Sequence, residues 1–343
     1  MQLLDPYSHK RALGWYWLTV FLSVTGCGSS NPAKPTTVAG EGRYSIVCTT
    51  GMVADIVSQV AGDRAEVTAL MAEGVDPHLY VPTRSDVVRM QEADIIFYSG
   101  LRLEGAMQKT FETLSGNGRP VYAVTAEIPQ NDLLAPPNFE GHPDPHVWND
   151  VKLWSQAVAF VAARLEAYDT TNAEEYRANA EAYRQQLNAL DTYVREVIGT
   201  IPEAQRYLVT AHDAFEYFSR SYGIPVESVQ GITTESEAGV DDINRLVDLL
   251  VTKKVPAIFV ESSVNAANIQ AVINGAQSRG WKVKNGGTLF SDAMGAEGTY
   301  EGTYLGMIDH NATTITLALG GVAPNNGMQG KLNGAAVTTN QGK

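Results

Sequence analysis

Residues 151–198 read VKLWSQAVAFVAARLEAYDTTNAEEYRANAEAYRQQLNALDTYVREVI, a stretch without proline, glycine or a strand signal. Within it Tyr176, Ala180, Tyr183, Leu187, Leu190, Tyr193 and Val197 recur every three or four residues, which puts them on one apolar stripe of a helix. Thr171 with Glu174 has the spacing of a capping box, and Gly199 followed by Pro202 supplies a stop. The segment predicts one long helix, so the fold depends on what lies to either side of it.

Before it, short β-branched or aromatic runs at 46–49, 67–71, 95–98 and 121–124 read as strands separated by helical stretches, with a helix start at Thr83 and Asp86 after Pro82. After it, the same alternation returns at 207–210, 226–229, 257–261 and 281–283. Alternating strands and helices favour parallel sheets. The expected fold is α/β: a first lobe over 43–150, a linking helical region over 151–200 and a second lobe over 201–319, with a ligand site in the cleft between the lobes.

The flanks differ from this folded body. Lys10-Arg11 precede an apolar run at 12–22, too short to span a membrane comfortably but suited to the core of a signal peptide. It leads to Val24-Thr25-Gly26-Cys27, which resembles a bacterial lipobox with Val24 where leucine is usual. Cleavage over 1–26 would leave Cys27 as a lipidated first residue. The following stretch to residue 42 is built mostly from Gly, Ser, Asn, Pro, Ala and Thr and reads as a flexible tether, and 320–343, rich in Gly, Asn, Gln and Thr, reads as a disordered tail. The expected location is the extracytoplasmic face of a cell membrane, in a periplasm or on a cell surface, held by the lipid. Only Cys48 would remain in the mature chain, inside an apolar run, so no intramolecular disulfide is possible.

The 343 residues carry a formal net charge of -13, which disfavours nucleic acid and anionic surfaces as partners and attracts cations. The candidate cation ligands are specific. Asp76-Pro77-His78-Leu79-Tyr80 recurs in outline as Asp144-Pro145-His146-Val147-Trp148. Proline holds the preceding residue extended and so stiffens a loop that can aim an imidazole, while the aromatic residue two places on can shield it from water. His212, in Val209-Thr210-Ala211-His212-Asp213, and Asp292, in Phe290-Ser291-Asp292, also fall after or near predicted strands, where α/β folds place ligand sites. Three imidazoles and a carboxylate suit a divalent transition metal. His9, His142 and His310 have no such context.

Gly74-Val75-Asp76-Pro77-His78-Leu79-Tyr80, Asp144-Pro145-His146-Val147-Trp148, Thr210-Ala211-His212, Phe259-Val260-Glu261-Ser262-Ser263 and Phe290-Ser291-Asp292, in that order, resemble the TroA-like zinc and manganese solute-binding proteins of ABC transporters. The likeness covers about residues 43–319. It implies that His78, His146, His212 and Asp292 bind the metal, that the cargo is Zn2+ or Mn2+, that the partner is an ABC permease, and that a long helix joins two lobes that move little on loading. Some zinc-importing members carry a histidine-rich loop where residues 129–141 have no histidine, and many manganese members have glutamate where this chain has His212.

A metal-dependent hydrolase and a surface adhesin are the alternatives. The chain lacks His-Glu-x-x-His, leaving Glu261 as the one motif-borne general base and more simply a polar residue ending a strand; it also lacks the repeats of an adhesin. It cannot power transport itself, because Trp281 stands where the lysine of a phosphate loop would follow Gly275 to Gly280. No catalytic activity is expected.

Overall fold

A computed structural model describes residues 42–332, apart from Asn138 and Glu140. The expected signal segment, Cys27, all but the last residue of the expected tether and residues 333–343 lie outside the described residues. The first lobe comprises β1 (Tyr44–Cys48), α1 (Gly51–Ala61), β2 (Ala65–Ala69), α2 (Arg84–Glu92), β3 (Ile95–Tyr98), α3 (Gln108–Gly116) and β4 (Val121–Ala123). Its four strands pair in parallel in the order β2-β1-β3-β4. The capping box read at Thr83 and Asp86 is formed at the start of α2.

The linking region is two helices, α4 (Val151–Tyr168) and α5 (Ala173–Gly199). Nothing in the local pattern announces the break between them. Asp169 makes it: its carboxylate accepts from Asn172 and from the Tyr176 hydroxyl, both at 2.7 Å, and a short 3-10 turn intervenes. Asn172 therefore takes the N-cap position without a side-chain bond, and the capping box expected from Thr171 and Glu174 does not form. The 27 residues of α5 make the long helix, about 40 Å at 1.5 Å per residue. It contacts both lobes, through Tyr176 to Tyr44 and Tyr183 to Asp55 on one side and through Tyr193 to Thr313 on the other.

The second lobe follows as β5 (Leu208–Thr210), α6 (Glu216–Tyr222), β6 (Val226–Ser228), α7 (Val240–Lys253), β7 (Ala257–Glu261), α8 (Ala267–Ser278), β8 (Lys284–Leu289) and α9 (Tyr304–Ala318). β5 pairs with β6, β7 with β8, both in parallel, and β5 runs beside β7. The spatial order β6-β5-β7-β8 thus repeats that of the first lobe. In both, the order reverses between the first and third strands, and ligands in such folds bind beyond the carboxyl ends of the strands at that point.

Two sequence expectations are corrected here. The last strand is not 281–283 but Lys284–Leu289, whose Gly286-Gly287 has poor strand propensity; Trp281 instead closes the end of α8, its backbone N–H donating to the Ala276 carbonyl and its ring N–H to the Val255 carbonyl. Glycine is required at 286 because a Cβ would lie 2.6 Å from the Phe259 ring. The tail expected to be disordered from residue 320 is packed as far as Leu332, which is buried, and the Met328 amide donates to both oxygens of Asp309.

One hydrophobic core runs through the lobes and the helices between them, including Ile46 and Phe97, Trp154 and Leu187, and Phe259 and Ile315. Each fully buried side chain of this size contributes about 1.5–3 kcal/mol over leaving it in water. Cys48 is free and fully buried in this core, as its apolar run implied.

Candidate metal centre

The structure brings all four sequence-predicted ligands together. His78 follows β2, His146 precedes α4, His212 follows β5 and Asp292 follows β8; all four are buried, and one donor atom from each lies within 4.8 Å of the others. His78 Nε2 is 3.2 Å from His146 Nε2 and 3.7 Å from Asp292 Oδ2. His146 Nε2 is 3.6 Å from Asp292 Oδ1, and His212 Nε2 is 3.1 Å from Oδ2 without the alignment of a hydrogen bond. Ligands at about 2.0–2.1 Å from a tetrahedral ion stand about 3.3–3.4 Å apart, and these four pairs, at 3.1–3.7 Å, bracket that spacing, while the whole donor set stays within 4.8 Å.

Orientation of two imidazoles comes from carboxylates behind them. Asp144 Oδ1 lies 2.7 Å from His146 Nδ1, and Glu261 Oε2 lies 2.5 Å from His212 Nδ1. A carboxylate accepts, so each Nδ1 carries a proton and each Nε2 faces the centre, where it can ligate an ion once it holds no proton of its own. Glu261 Oε1 also accepts from the amides of Ala211 and His212, joining β7 to β5 at the switch point. No carboxylate or carbonyl among the described residues stands behind Nδ1 of His78.

Charge reinforces this arrangement. Burial pushes the His78 imidazole down to about 3, so it is neutral in ordinary conditions. Burial opposes charge on His212 as well, but Asp292 and Glu261 raise its pKa well above the ordinary value. Asp292 is buried, which favours the neutral acid, yet His212 first, then His146 and His78, hold its carboxyl below the usual range. Neither Asp292 oxygen has a hydrogen-bond partner. Leaving a buried charged acceptor unpaired costs on the order of 1–3 kcal/mol or more, which a bound cation would relieve.

The sequence reading did not assign Asp144 and Glu261 their roles and gave Trp148 only the shielding part of its own. Trp148 shields as expected, 5.3 Å from the His146 ring, but its Nε1–H also donates to the Ser291 carbonyl and ties the loop to the neighbour of Asp292. Tyr80 does not shield; its hydroxyl turns to Asp86. Glu261 was legible as a carboxylate closing a strand, and its place beside the switch point was the missing signal. His142 and His310 lie elsewhere, beside Arg102 and the Thr288 carbonyl. His9 is outside the described residues.

A family model described as "ZnuA: Zinc-uptake complex component A periplasmic" matches residues 46–318. The manganese-binding lipoprotein MntA of Bacillus subtilis is 43% identical over 298 residues, covering 87% of this chain and 95% of that one. The zinc-binding protein TroA of Treponema pallidum is 46% identical over 281 residues, covering 82% and 90%. Its solved structure, that of a periplasmic zinc-binding protein, superposes with a TM-score of 0.79 over 81% of this chain and 99% of that one.

Proposed function

This chain belongs to the family of zinc-uptake component A proteins, to which TroA and MntA are similar, and from that premise we propose that it captures Zn2+ or Mn2+ outside the cytoplasm and hands the ion to an ABC permease. The observation that carries the reading is the four-donor cluster of His78, His146, His212 and Asp292, buried, drawn from both lobes and with an unpaired carboxylate at its centre. Three imidazoles and a carboxylate, all buried, suit retention of an ion, whereas hydrolysis would also need a free general base beside it. Glu261 supports this distinction, since both its oxygens are committed to Ala211 and His212.

The cargo assignment follows donor chemistry. Three imidazoles and one carboxylate form a softer set than two of each, and intrinsic divalent affinities place Zn2+ above Mn2+. Zinc should bind at least as tightly as manganese in vitro, whichever ion the cell moves. Elemental analysis of protein purified without added metal, followed by competitive titration of both ions, tests the reading; protein that takes up neither ion overturns it. Cys27 would hold the mature protein at the membrane through more than one acyl chain, because a single chain anchors only marginally. A Cys27→Ser protein that stays in the membrane fraction would exclude that anchor.

A further inference from the structure

We infer that Thr234, in the loop between β6 and α7, is a positioning residue that latches the His78 loop to the second lobe and sets how long a bound ion is held. The inference rests on the metal reading above. Asp76 uses both oxygens: Oδ1 accepts from the His78 amide at 2.8 Å, fixing the backbone that carries the ligand, and Oδ2 accepts from the Thr234 hydroxyl at 2.5 Å across 158 residues of sequence. One carboxylate therefore joins the ligand's backbone to the opposite lobe.

The other Asp-Pro-His loop shows what this bond replaces. Asp144 spends Oδ1 on the His146 amide and on the His146 ring, and its Oδ2 has no partner. That loop reaches the second lobe through buried bonds made by its neighbours: Trp148 to the Ser291 carbonyl, Asn149 to the Ala214 carbonyl and Tyr217 to the Asp144 carbonyl. At the His78 loop, Leu79 is 54% exposed and Tyr80 faces Asp86 of its own lobe. The Thr234 hydroxyl is thus the one hydrogen bond among the described residues that ties Asp76-Pro77-His78-Leu79-Tyr80 to second-lobe residues outside the proposed ligands.

Thr234 sits in a loop whose Ile232 is buried and whose Ser236 carbonyl accepts from Gln230, so the hydroxyl is presented from a braced position. Losing it frees the His78 loop to swing outward while the four donors remain intact. The ion should then leave faster with little change in its rate of arrival.

The test is stopped-flow release of Zn2+ and Mn2+ to an excess of chelator from loaded wild type, Thr234→Val, Thr234→Ser and Thr234→Ala. Dissociation should speed up about fivefold in the valine and alanine variants, the equivalent of one hydrogen bond of about 1 kcal/mol, and return toward wild type with serine. Hydrogen exchange of the amides at 78–81 should rise in the valine variant while those at 146–149 stay protected. Unchanged release from both Thr234→Val and Thr234→Ala, or a serine variant as fast as valine, overturns the latch while leaving the metal reading in place. Wild type that binds neither ion overturns both.

Discussion

Leu79 and Val147 occupy the same place in the two Asp-Pro-His loops, yet the first is 54% exposed and the second is fully buried. The aromatic residues beside them divide likewise: Trp148 is buried against His146, whereas Tyr80 is half-buried against Asp86. The two aspartates diverge too, one bracing a ring and the other reaching across the cleft. A repeated pentapeptide therefore sets the backbone, through the bond from each aspartate to the histidine two residues on, and leaves the surroundings to decide whether the ligand is rigid or adjustable.

The largest effects should come from removing the rings themselves. An ion present at about a hundred times its dissociation constant stabilises the folded state by about 2.7 kcal/mol, and His146→Ala or His78→Ala should each abolish most of that gain in a thermal melt. The loops should separate in the metal-free state, where only His146→Ala lowers the melting temperature, because it leaves Asp144 buried without its ring partner. Equal metal-free melting temperatures would break the comparison.

Next in size is the support behind the rings. Asp144→Asn and Glu261→Gln should each weaken metal binding about 10- to 100-fold by titration, the usual range for carboxylates that orient a ligating histidine. A smaller loss from either would show that packing alone holds the imidazole.

The pH dependence sharpens the contrast further. His212, raised well above its ordinary value by Asp292 and Glu261, carries a proton in the metal-free protein at neutral pH and must lose it to bind an ion. His78, lowered to about 3 by burial, is already neutral and has none to lose. Affinity should therefore rise with pH, by about tenfold per unit for one displaced proton, and fall as the solution is acidified. Proton release on loading, read with a pH indicator, should shrink in Glu261→Gln. Affinity independent of pH between 6 and 8 would contradict this assignment.

The smallest expected effect concerns selectivity. His212→Glu replaces a nitrogen donor by a hard oxygen and should weaken zinc more than manganese, by a few-fold in the ratio of the two constants. Competitive titration measures that ratio directly, and a wild-type preference for manganese would show that geometry outweighs donor softness.

Much of this was legible before the structure. Strands at 95–98 and 257–261 stand where their β-branched and aromatic runs predict, and all four candidate ligands meet: His78 and His146 lie on stiff Asp-Pro-His turns and His212 on a loop after a recognisable strand, whereas the strand before Asp292 was misplaced. What escaped the sequence depends on distance along the chain. Glu261 reaches His212 across 49 residues and Thr234 reaches Asp76 across 158, and no local period encodes such bonds. β8 was displaced because Gly286 suits close packing on Phe259 and Gly287 close packing on Thr314 rather than strand propensity, and the order of residues 320–332 depends on Asp309, which looks like an ordinary helix residue until its carboxylate meets Met328.

The core shared by the two lobes has a thermodynamic consequence. Ile46, Leu187 and Ile315 belong to one packed cluster, so neither lobe can melt without exposing apolar surface of the other. The two lobes are then coupled in unfolding through that cluster, and an ion bound at the cleft stabilises more than the four loops that hold it. Amides near Leu187, in the middle of α5 and inside that cluster, should exchange with solvent chiefly through openings of the shared core. Their exchange rates register whether the cleft is loaded.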